Sequence, residues 1–124
     1  MDSIRAISLL ANEGQDFDLL LGNFLDEFYL AGPSRQESML DLPPIDMTKP
    51  ERVPLLAACA HKLALDHGLY PPKWVFEPRC YLPGSSPYFA LGAKGNLRLL
   101  FMYKSPSEFK HRNLFVDENV LVRV

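Results

Sequence analysis

The chain has 124 residues, 48% of them hydrophobic and 23% charged, and a formal net charge of -2 at pH 7. These values are typical of one globular domain with its own core, so they exclude an intrinsically disordered chain and predict a single domain over residues 1–124. No window approaches the roughly 18 uncharged apolar residues of a membrane span, and we see no secretory leader, so we expect a cytoplasmic protein without a membrane partner.

Two amphipathic helices are predicted at the start of the chain. Either Asp2 or Ser3 can cap the first helix, whose apolar residues recur every three positions until Gly14 interrupts it. The second helix has acidic residues in its first turn and ends at Gly32 and Pro33. Its apolar residues have the spacing of one helix face and are expected in the core: Phe17, Leu20, Leu21, Phe24, Leu25 and Phe28.

Two further helix starts are predicted from Ser/Thr-x-x-Glu pairs, in which each side chain bonds to the backbone amide of the other residue. Ser34 and Glu37 begin a short turn of helix at 34–40, inside an ordered, proline-rich connection at 33–50. Thr48 and Glu51 begin a longer helix, which Gly68 ends. The predicted buried stripe of this longer helix is Leu56, Cys59, Ala60 and Leu63.

The segment 69–96 is rich in proline, glycine and aromatic residues and contains the single tryptophan, Trp74. Large rings can anchor such an irregular segment to a helical core, because each ring buries more area than an aliphatic side chain. The alternative is that the rings stack on nucleobases, since Lys73 and Arg79 lie between them in the sequence. We favour the anchoring role.

Residues 97–103 (LRLLFMY) form an apolar run that fits either a helix or a strand. We predict a helix capped by Asn96, so that the fold is mainly α: a compact helical domain with one irregular segment. The alternative is a strand that pairs with 120–124, which gives an α+β fold with a small C-terminal hairpin.

A further helix start is predicted at residues 105–108. Ser105 has the position of its cap, Pro106 suits the first helical residue, and Glu108 can bond back to the Ser105 amide. In this interpretation Phe109 faces the core. Arg112 lies at the helix end, where a cation meets free carbonyl groups.

Charge is distributed unevenly along the chain. Residues 1–46 contain nine acidic and two basic residues, whereas residues 94–124 contain six basic and three acidic residues. This asymmetry is consistent with a nucleic-acid-binding face, with an acidic face that binds a partner, or with two ends that neutralise each other within one fold.

Patterns typical of catalysis or metal binding are not apparent. Cys59 and His61 are two positions apart on one predicted helix and point to different faces, so they cannot share a zinc ion. The serines at 85–86 lack the pattern of a nucleophile elbow, and Lys94 lacks the spacing of a phosphate-binding loop. Cys59 and Cys80 are expected as free thiols. The sequence therefore predicts no catalytic residue, no cofactor and no metal.

Several motifs together resemble those of a widespread family of uncharacterised bacterial proteins. The motifs are FLDEFY at 24–29, ML followed by PP at 39–44, HKLA followed by HGL at 61–69, PKW at 72–74 and SP followed by RNLF at 105–115. The resemblance covers residues 17–124. Members of this family occur alone or fused behind a Cro/repressor-type helix-turn-helix, often beside nucleotidyltransferase-like proteins in toxin-antitoxin-like operons. The resemblance implies a regulatory role and indicates no catalytic residues, and without the helix-turn-helix domain we do not expect autonomous operator binding.

Three functions are consistent with these observations. The leading prediction is a non-enzymatic interaction or regulatory module, an antitoxin-like partner of a neighbouring nucleotidyltransferase-like protein, which docks through its acidic N-terminal helices or through segment 70–89. The alternatives are a nucleic-acid-binding accessory protein and an enzyme with a dispersed site around Trp74, Arg79 and Arg112. The residues predicted to contact a partner are Asp26, Glu27, Lys73, Trp74, Arg79, Lys110 and His111.

Overall fold

The structure, a computed structural model, describes residues 3–123, and within them the chain forms six α-helices and one pair of short parallel strands. The helices are α1 (Ile4–Asn12), α2 (Phe17–Leu30), α3 (Pro33–Asp41), α4 (Arg52–Asp66), α5 (Asn96–Lys104) and α6 (Ser107–Lys110). The strands are β1 (Tyr88–Phe89) and β2 (Leu114–Phe115). The prediction of a mainly helical fold is confirmed. The alternative with a C-terminal hairpin is wrong, because residues 97–103 lie in α5 and residues 120–123, the described part of the other predicted strand, are not paired in a sheet.

Helices α1 and α2 both begin at a capping side chain; Ser3 is a predicted cap, whereas Asp16 is predicted only as an acidic residue near the helix start. The Ser3 hydroxyl accepts the Ala6 amide at 3.1 Å, and the Asp16 carboxylate accepts the Leu19 amide at 3.0 Å. Ser3 is therefore the cap of α1, whereas Asp2, the other candidate, lies outside the described residues. The predicted apolar face of α2 is buried at Phe17, Phe24, Leu25 and Phe28 and partly buried at Leu20 and Leu21.

The predicted capping box at Ser34 and Glu37 does not form, although the helix does. Helix α3 begins at Pro33, and its cap residue is Gly32, which makes no side-chain cap. A proline is well suited to the first helical position, because an amide there has no partner within the helix. Pro33 therefore takes that position and places Ser34 inside the helix.

The capping box predicted at Thr48 and Glu51 is also wrong, because α4 begins only at Arg52. Pro54 explains the later start. In a helix that began beside Thr48, Pro54 would lie in the second turn, where its ring clashes with an earlier carbonyl and its missing amide interrupts the hydrogen bonds. With Arg52 first, Pro54 lies in the first turn, where amides have no helical partner in any case.

Helix α4 forms the centre of the core. It packs against α3, α6 and two short 3-10 turns at Lys73–Phe76 and Pro78–Cys80. It ends as predicted at Gly68, whose φ is +71°, and the Leu69 amide bonds to the Ala64 carbonyl at 2.8 Å. The predicted stripe is fully buried: Leu56, Cys59, Ala60 and Leu63.

The irregular segment after α4 is anchored by Trp74, as predicted. Its side chain is 6% exposed, and its indole N–H donates to the Leu40 carbonyl at 3.0 Å. Val75 and Cys80 are buried in the same hydrophobic cluster. Two rings of this segment are exposed instead, Tyr70 at 97% and Phe76 at 52%.

The predicted role of Ser105 as a helix cap is wrong. Helix α6 begins at Ser107 with Pro106 as its cap residue, whereas Ser105 is buried at the end of α5. The Ser105 hydroxyl oxygen lies 2.5 Å from the Phe101 carbonyl and 2.9 Å from the Val116 carbonyl, and it accepts the Val116 amide at 2.8 Å. Ser105 thus joins the end of α5 to the residue that follows β2. Phe109 is fully buried, as predicted.

Candidate interaction surface

Helix α5 exposes most of its apolar side chains to solvent. A helix on the surface of a domain normally buries its apolar residues in one stripe, but within α5 only Phe101 is buried. The exposed apolar residues, which together we name the α5 surface, are Leu97 (40%), Leu99 (63%), Leu100 (50%), Met102 (47%) and Tyr103 (77%). Contiguous exposed apolar residues of this size are typical of an interaction site.

Contacts at both ends hold α5 in place. At its start, the Arg98 Nε–H donates to the Ala93 carbonyl at 2.7 Å, and the guanidinium lies 4.4 Å from the centre of the Phe89 ring. Beyond its end, the buried Ser105 hydroxyl bonds to Val116. The α5 surface is therefore presented in a fixed orientation, which lowers the conformational entropy lost on binding.

The α5 surface lies in a basic part of the chain. Residues 90–107 contain Lys94, Arg98 and Lys104 and no acidic residue. All three are exposed. A partner that covers these leucines therefore needs an apolar surface with acidic groups at its edge.

A groove of about 470 Å³ lies between the first turn of α2, the side of α4, the segment 88–91 and the chain after β2. We name it the Asp18/Asp117 groove after the two carboxylates that line it, since no lysine or arginine of the described residues does so. Arg52 lies near it and stacks on the Phe17 ring at 4.7 Å. The apolar residues that line the groove are Phe17, Leu21, Leu55, Ala90, Leu91, Phe109, Val116 and Val120.

Leu91 lines this groove in a strained conformation. Its φ is 59° and its ψ is 22°, in the left-handed region that costs a non-glycine residue of order 1 kcal/mol or more. Its side chain is 85% exposed, so packing within the chain does not offset this cost. The strain places a leucine side chain in solvent beside an apolar groove, which is the arrangement expected of a contact residue.

Cys59 also lines the groove, but it is not an activated nucleophile. Burial raises the pKa of the Cys59 thiol to about 12, and the nearby Arg112 offsets this only in part. The thiol is therefore protonated at neutral pH, and a protonated thiol neither attacks a substrate nor binds a metal as thiolate.

Asp26 and Glu27, both predicted to contact a partner, take part in internal ion pairs. The Arg123 guanidinium donates to both Asp26 carboxylate oxygens, at 2.9 and 3.2 Å, and these bonds hold the pKa of Asp26 below its usual value. Glu27 lies 4.0 Å from Arg35. The Asp26–Arg123 pair joins the acidic N-terminal part to the basic C-terminal part, so at this point the two ends neutralise each other.

The predicted sites in segment 70–89 are separated by the fold. Trp74 is buried, so its predicted role as a contact residue is wrong: a partner reaches little of it. Lys73, its neighbour, is exposed. The Arg79 guanidinium donates to the Pro44 carbonyl at 3.1 Å and to the Asp46 carboxylate at 3.3 Å. It therefore stabilises the connection that precedes α4.

Lys110 and His111 lie just after α5 in space and in sequence. The Lys110 ammonium donates to the Tyr103 carbonyl at 2.7 Å, where it satisfies a free carbonyl at the end of α5. His111 is exposed. Of this pair, Lys110 therefore directly contacts a residue of the α5 surface, Tyr103.

Arg112 is a buried cation, which the sequence reasoning did not anticipate. It is 1% exposed and donates to the carbonyls of Glu108 and Val75, each at 2.9 Å, and to the His61 imidazole Nδ1 at 3.2 Å. Its guanidinium lies 4.7 Å from the centre of the Tyr81 ring, and its Nε forms no hydrogen bond with any residue of the described range 3–123. The predicted position at a helix end is confirmed, but the role is to cross-link α4, α6 and the turn at Lys73–Phe76.

The enzyme hypothesis required Trp74, Arg79 and Arg112 to converge on a deep pocket. Trp74 and Arg112 are instead buried against protein groups, and Arg79 binds the connection at 44–46. Within residues 3–123 no helix has the length and apolar character to cross a membrane, and no three potential metal-ligating side chains come together. Comparison of the chain with protein-family models, with curated proteins and with solved structures gave no match.

Proposed function

We propose that this protein is a non-enzymatic interaction module that docks on a protein partner through the α5 surface. The observation that carries the proposal is the exposure of five large apolar side chains, each at least 40% exposed, on one nine-residue helix. This surface replaces the acidic N-terminal helices and segment 70–89 as the docking site, because Asp26 and Trp74 are engaged within the chain.

The chemistry of the surface supports a protein partner. Full burial of a large apolar side chain is worth roughly 1.5–3 kcal/mol, and a partner that covers these partly exposed residues gains a corresponding fraction of that amount for each. Tyr103 and Met102 belong to the residue types that are enriched where interfaces are most tightly packed. Lys94 and Lys104 favour a partner with carboxylates around an apolar patch.

The family resemblance supports the kind of partner and the setting. It implies a nucleotidyltransferase-like protein encoded beside this one, toward which this chain acts as an antitoxin-like, regulatory subunit in the cytoplasm. Docking on such a protein regulates it if the bound helix covers its active site or holds it in one conformation.

The docking proposal is tested by co-expression with the product of the adjacent gene. We expect the two proteins to co-migrate in size exclusion at micromolar concentration. The double variant Leu99→Ser with Met102→Ser should weaken the complex at least about tenfold, because it removes apolar contact area from the α5 surface. Binding is measured by titration calorimetry.

A matched control is available on the same chain. Leu30 is 90% exposed and Leu65 is 51% exposed, and both lie outside α5, so Leu30→Ser with Leu65→Ser replaces two exposed large apolar side chains by serine elsewhere. Both double variants should unfold within about 0.5 kcal/mol of the wild type. If the α5 variant binds as tightly as the control variant, α5 is not the docking surface.

Nucleic-acid binding is a second candidate, favoured by the exposed Tyr103 between Arg98 and Lys104. An exposed ring with flanking cations can stack on an unpaired base and contact phosphates. The logarithm of the binding constant for single-stranded RNA should then fall linearly with the logarithm of the salt concentration. The variant Lys94→Glu with Lys104→Glu should abolish this binding. Flat titrations at low salt would eliminate this candidate.

A further inference from the structure

We infer that the α5 surface also docks in the Asp18/Asp117 groove of a second copy of this chain, reciprocally, so that a twofold homodimer covers both surfaces when the partner is absent. The inference rests on the proposed function, because it uses the same α5 surface. It adds a regulatory consequence: the homodimer and the partner complex compete for α5.

The two surfaces have complementary chemistry. The groove is apolar along most of its length and has carboxylates at Asp18 and Asp117, both exposed. The α5 surface has exposed leucines flanked by Lys94 and Lys104, with no acidic residue between positions 90 and 107. In a dimer of this kind, apolar groups meet apolar groups, and the two lysines lie beside the two carboxylates.

The positions of the two surfaces suit a twofold arrangement. Helix α5 packs on β2, and Val116 and Asp117 of the groove follow β2 directly. Leu91 of the groove lies in the short segment between β1 and α5. The surfaces are thus neighbours on one molecule, and a twofold axis between them lets each α5 reach the groove of the other copy.

The strained Leu91 acquires a partner in this arrangement. In the single chain its side chain is 85% exposed beside the groove. A helix seated in the groove covers this side chain with leucines. The new apolar contact offsets the conformational strain of Leu91, which no contact offsets in the single chain.

Charge reversal with mixing tests the inference. The groove variant is Asp18→Lys with Asp117→Asn; the asparagine preserves the Asp117 oxygen that accepts the Asn119 amide at 2.8 Å. The helix variant is Lys94→Glu with Lys104→Glu. By sedimentation velocity we expect a wild-type dimer at micromolar concentration and, for each variant alone, a dissociation constant raised at least about tenfold.

An equimolar mixture of the two variants should dimerise again. In the mixed dimer the reversed groove faces the reversed helix, and the unchanged groove faces the unchanged helix, so both halves of the interface are matched. The control is Glu13→Lys with Glu118→Gln, which changes the net charge by the same amount at exposed residues outside the groove. This control should dimerise as the wild type does.

If the groove variant does not fold, as judged by circular dichroism, Leu91→Ser takes its place, because that side chain is largely exposed and should weaken the dimer without unfolding the chain. A wild-type monomer at high micromolar concentration overturns the inference, as does a mixture that fails to dimerise. The groove variant retains α5, so it should bind the partner at least as tightly as the wild type does. Loss of partner binding with α5 intact counts against the proposed function, whereas a monomeric wild type that binds its partner counts only against the homodimer.

Discussion

At the scale of single residues, the cluster around Arg112 has the largest energetic consequence. The Arg112 guanidinium is removed from water, and its acceptors are two backbone carbonyls and an imidazole. This burial disfavours the charged form and lowers the pKa of Arg112. The hydrogen bonds and the stacking on Tyr81 offset the desolvation cost only while all of them are present. The cluster is therefore sensitive to change at either Arg112 or His61.

We predict that Arg112→Ala lowers the free energy of unfolding by about 3 kcal/mol, because two buried carbonyls and His61 lose their donor. Arg112→Lys should recover little of this loss, since one ammonium cannot match the planar guanidinium on Tyr81 and reach both carbonyls. Urea unfolding measures both changes. Arg79→Ala, which breaks exposed ion pairs, should cost at most about 1 kcal/mol, and equal effects at the two arginines would contradict the buried role of Arg112.

His61 should make stability depend on pH. Burial, followed by the charge of Arg112, lowers the pKa of His61 below the ordinary histidine value of 6.5. The unfolded chain therefore binds this proton more readily than the folded one, so stability is complete above pH 6.5 and falls as pH drops below it toward the folded pKa. His61→Gln keeps an acceptor for Arg112 and should flatten this slope in urea unfolding at several pH values. If His111→Gln flattens the slope equally, His61 is not its origin.

At the scale of elements, the junction between α5 and β2 depends on one hydroxyl group. Ser105 satisfies the Val116 amide and bonds to a carbonyl of α5 or of Val116, all in a buried position. The sequence motif predicted that Ser105 caps α6. In the fold Ser105 instead bonds to Val116, because β2 brings the chain back to within hydrogen-bonding distance of α5.

We predict that Ser105→Ala costs about 2 kcal/mol, more than the roughly 1 kcal/mol of a lost cap, because the Val116 amide remains buried without an acceptor. Thermal unfolding measures the loss. Ser107→Ala is the control, since Ser107 is the exposed first residue of α6 and its replacement should change stability by less than about 0.5 kcal/mol. A larger effect at Ser107 than at Ser105 would restore the capping interpretation.

At the scale of the whole molecule, the fold exposes most of the apolar residues of α5 and forms the Asp18/Asp117 groove. The uneven charge of the chain is balanced within the fold where Asp26 meets Arg123 and remains unbalanced around α5. A surface that covers α5 therefore needs negative charge near the lysine and arginine residues of this region, and the Asp18/Asp117 groove of the same chain has two carboxylates.

The sequence by itself determined the helices whose apolar spacing and end residues agree. The caps at Ser3 and Asp16, the face from Phe17 to Phe28 and the stop at Gly68 needed no distant contact, because these features act within one or two helical turns. The starts of α3 and α4 were misjudged where Pro33 and Pro54 outweighed the serine and threonine caps.

Only the tertiary structure decided which residues are buried. Arg112 is inside and Leu99 is outside, against the usual preference of each residue type, because burial depends on which segments meet rather than on local pattern. Helix α5 is held by Phe101, Ser105 and Arg98, and α4 and the two short turns enclose Arg112. The candidate surface therefore follows from contacts between residues far apart in the chain, which no spacing within a single segment encodes.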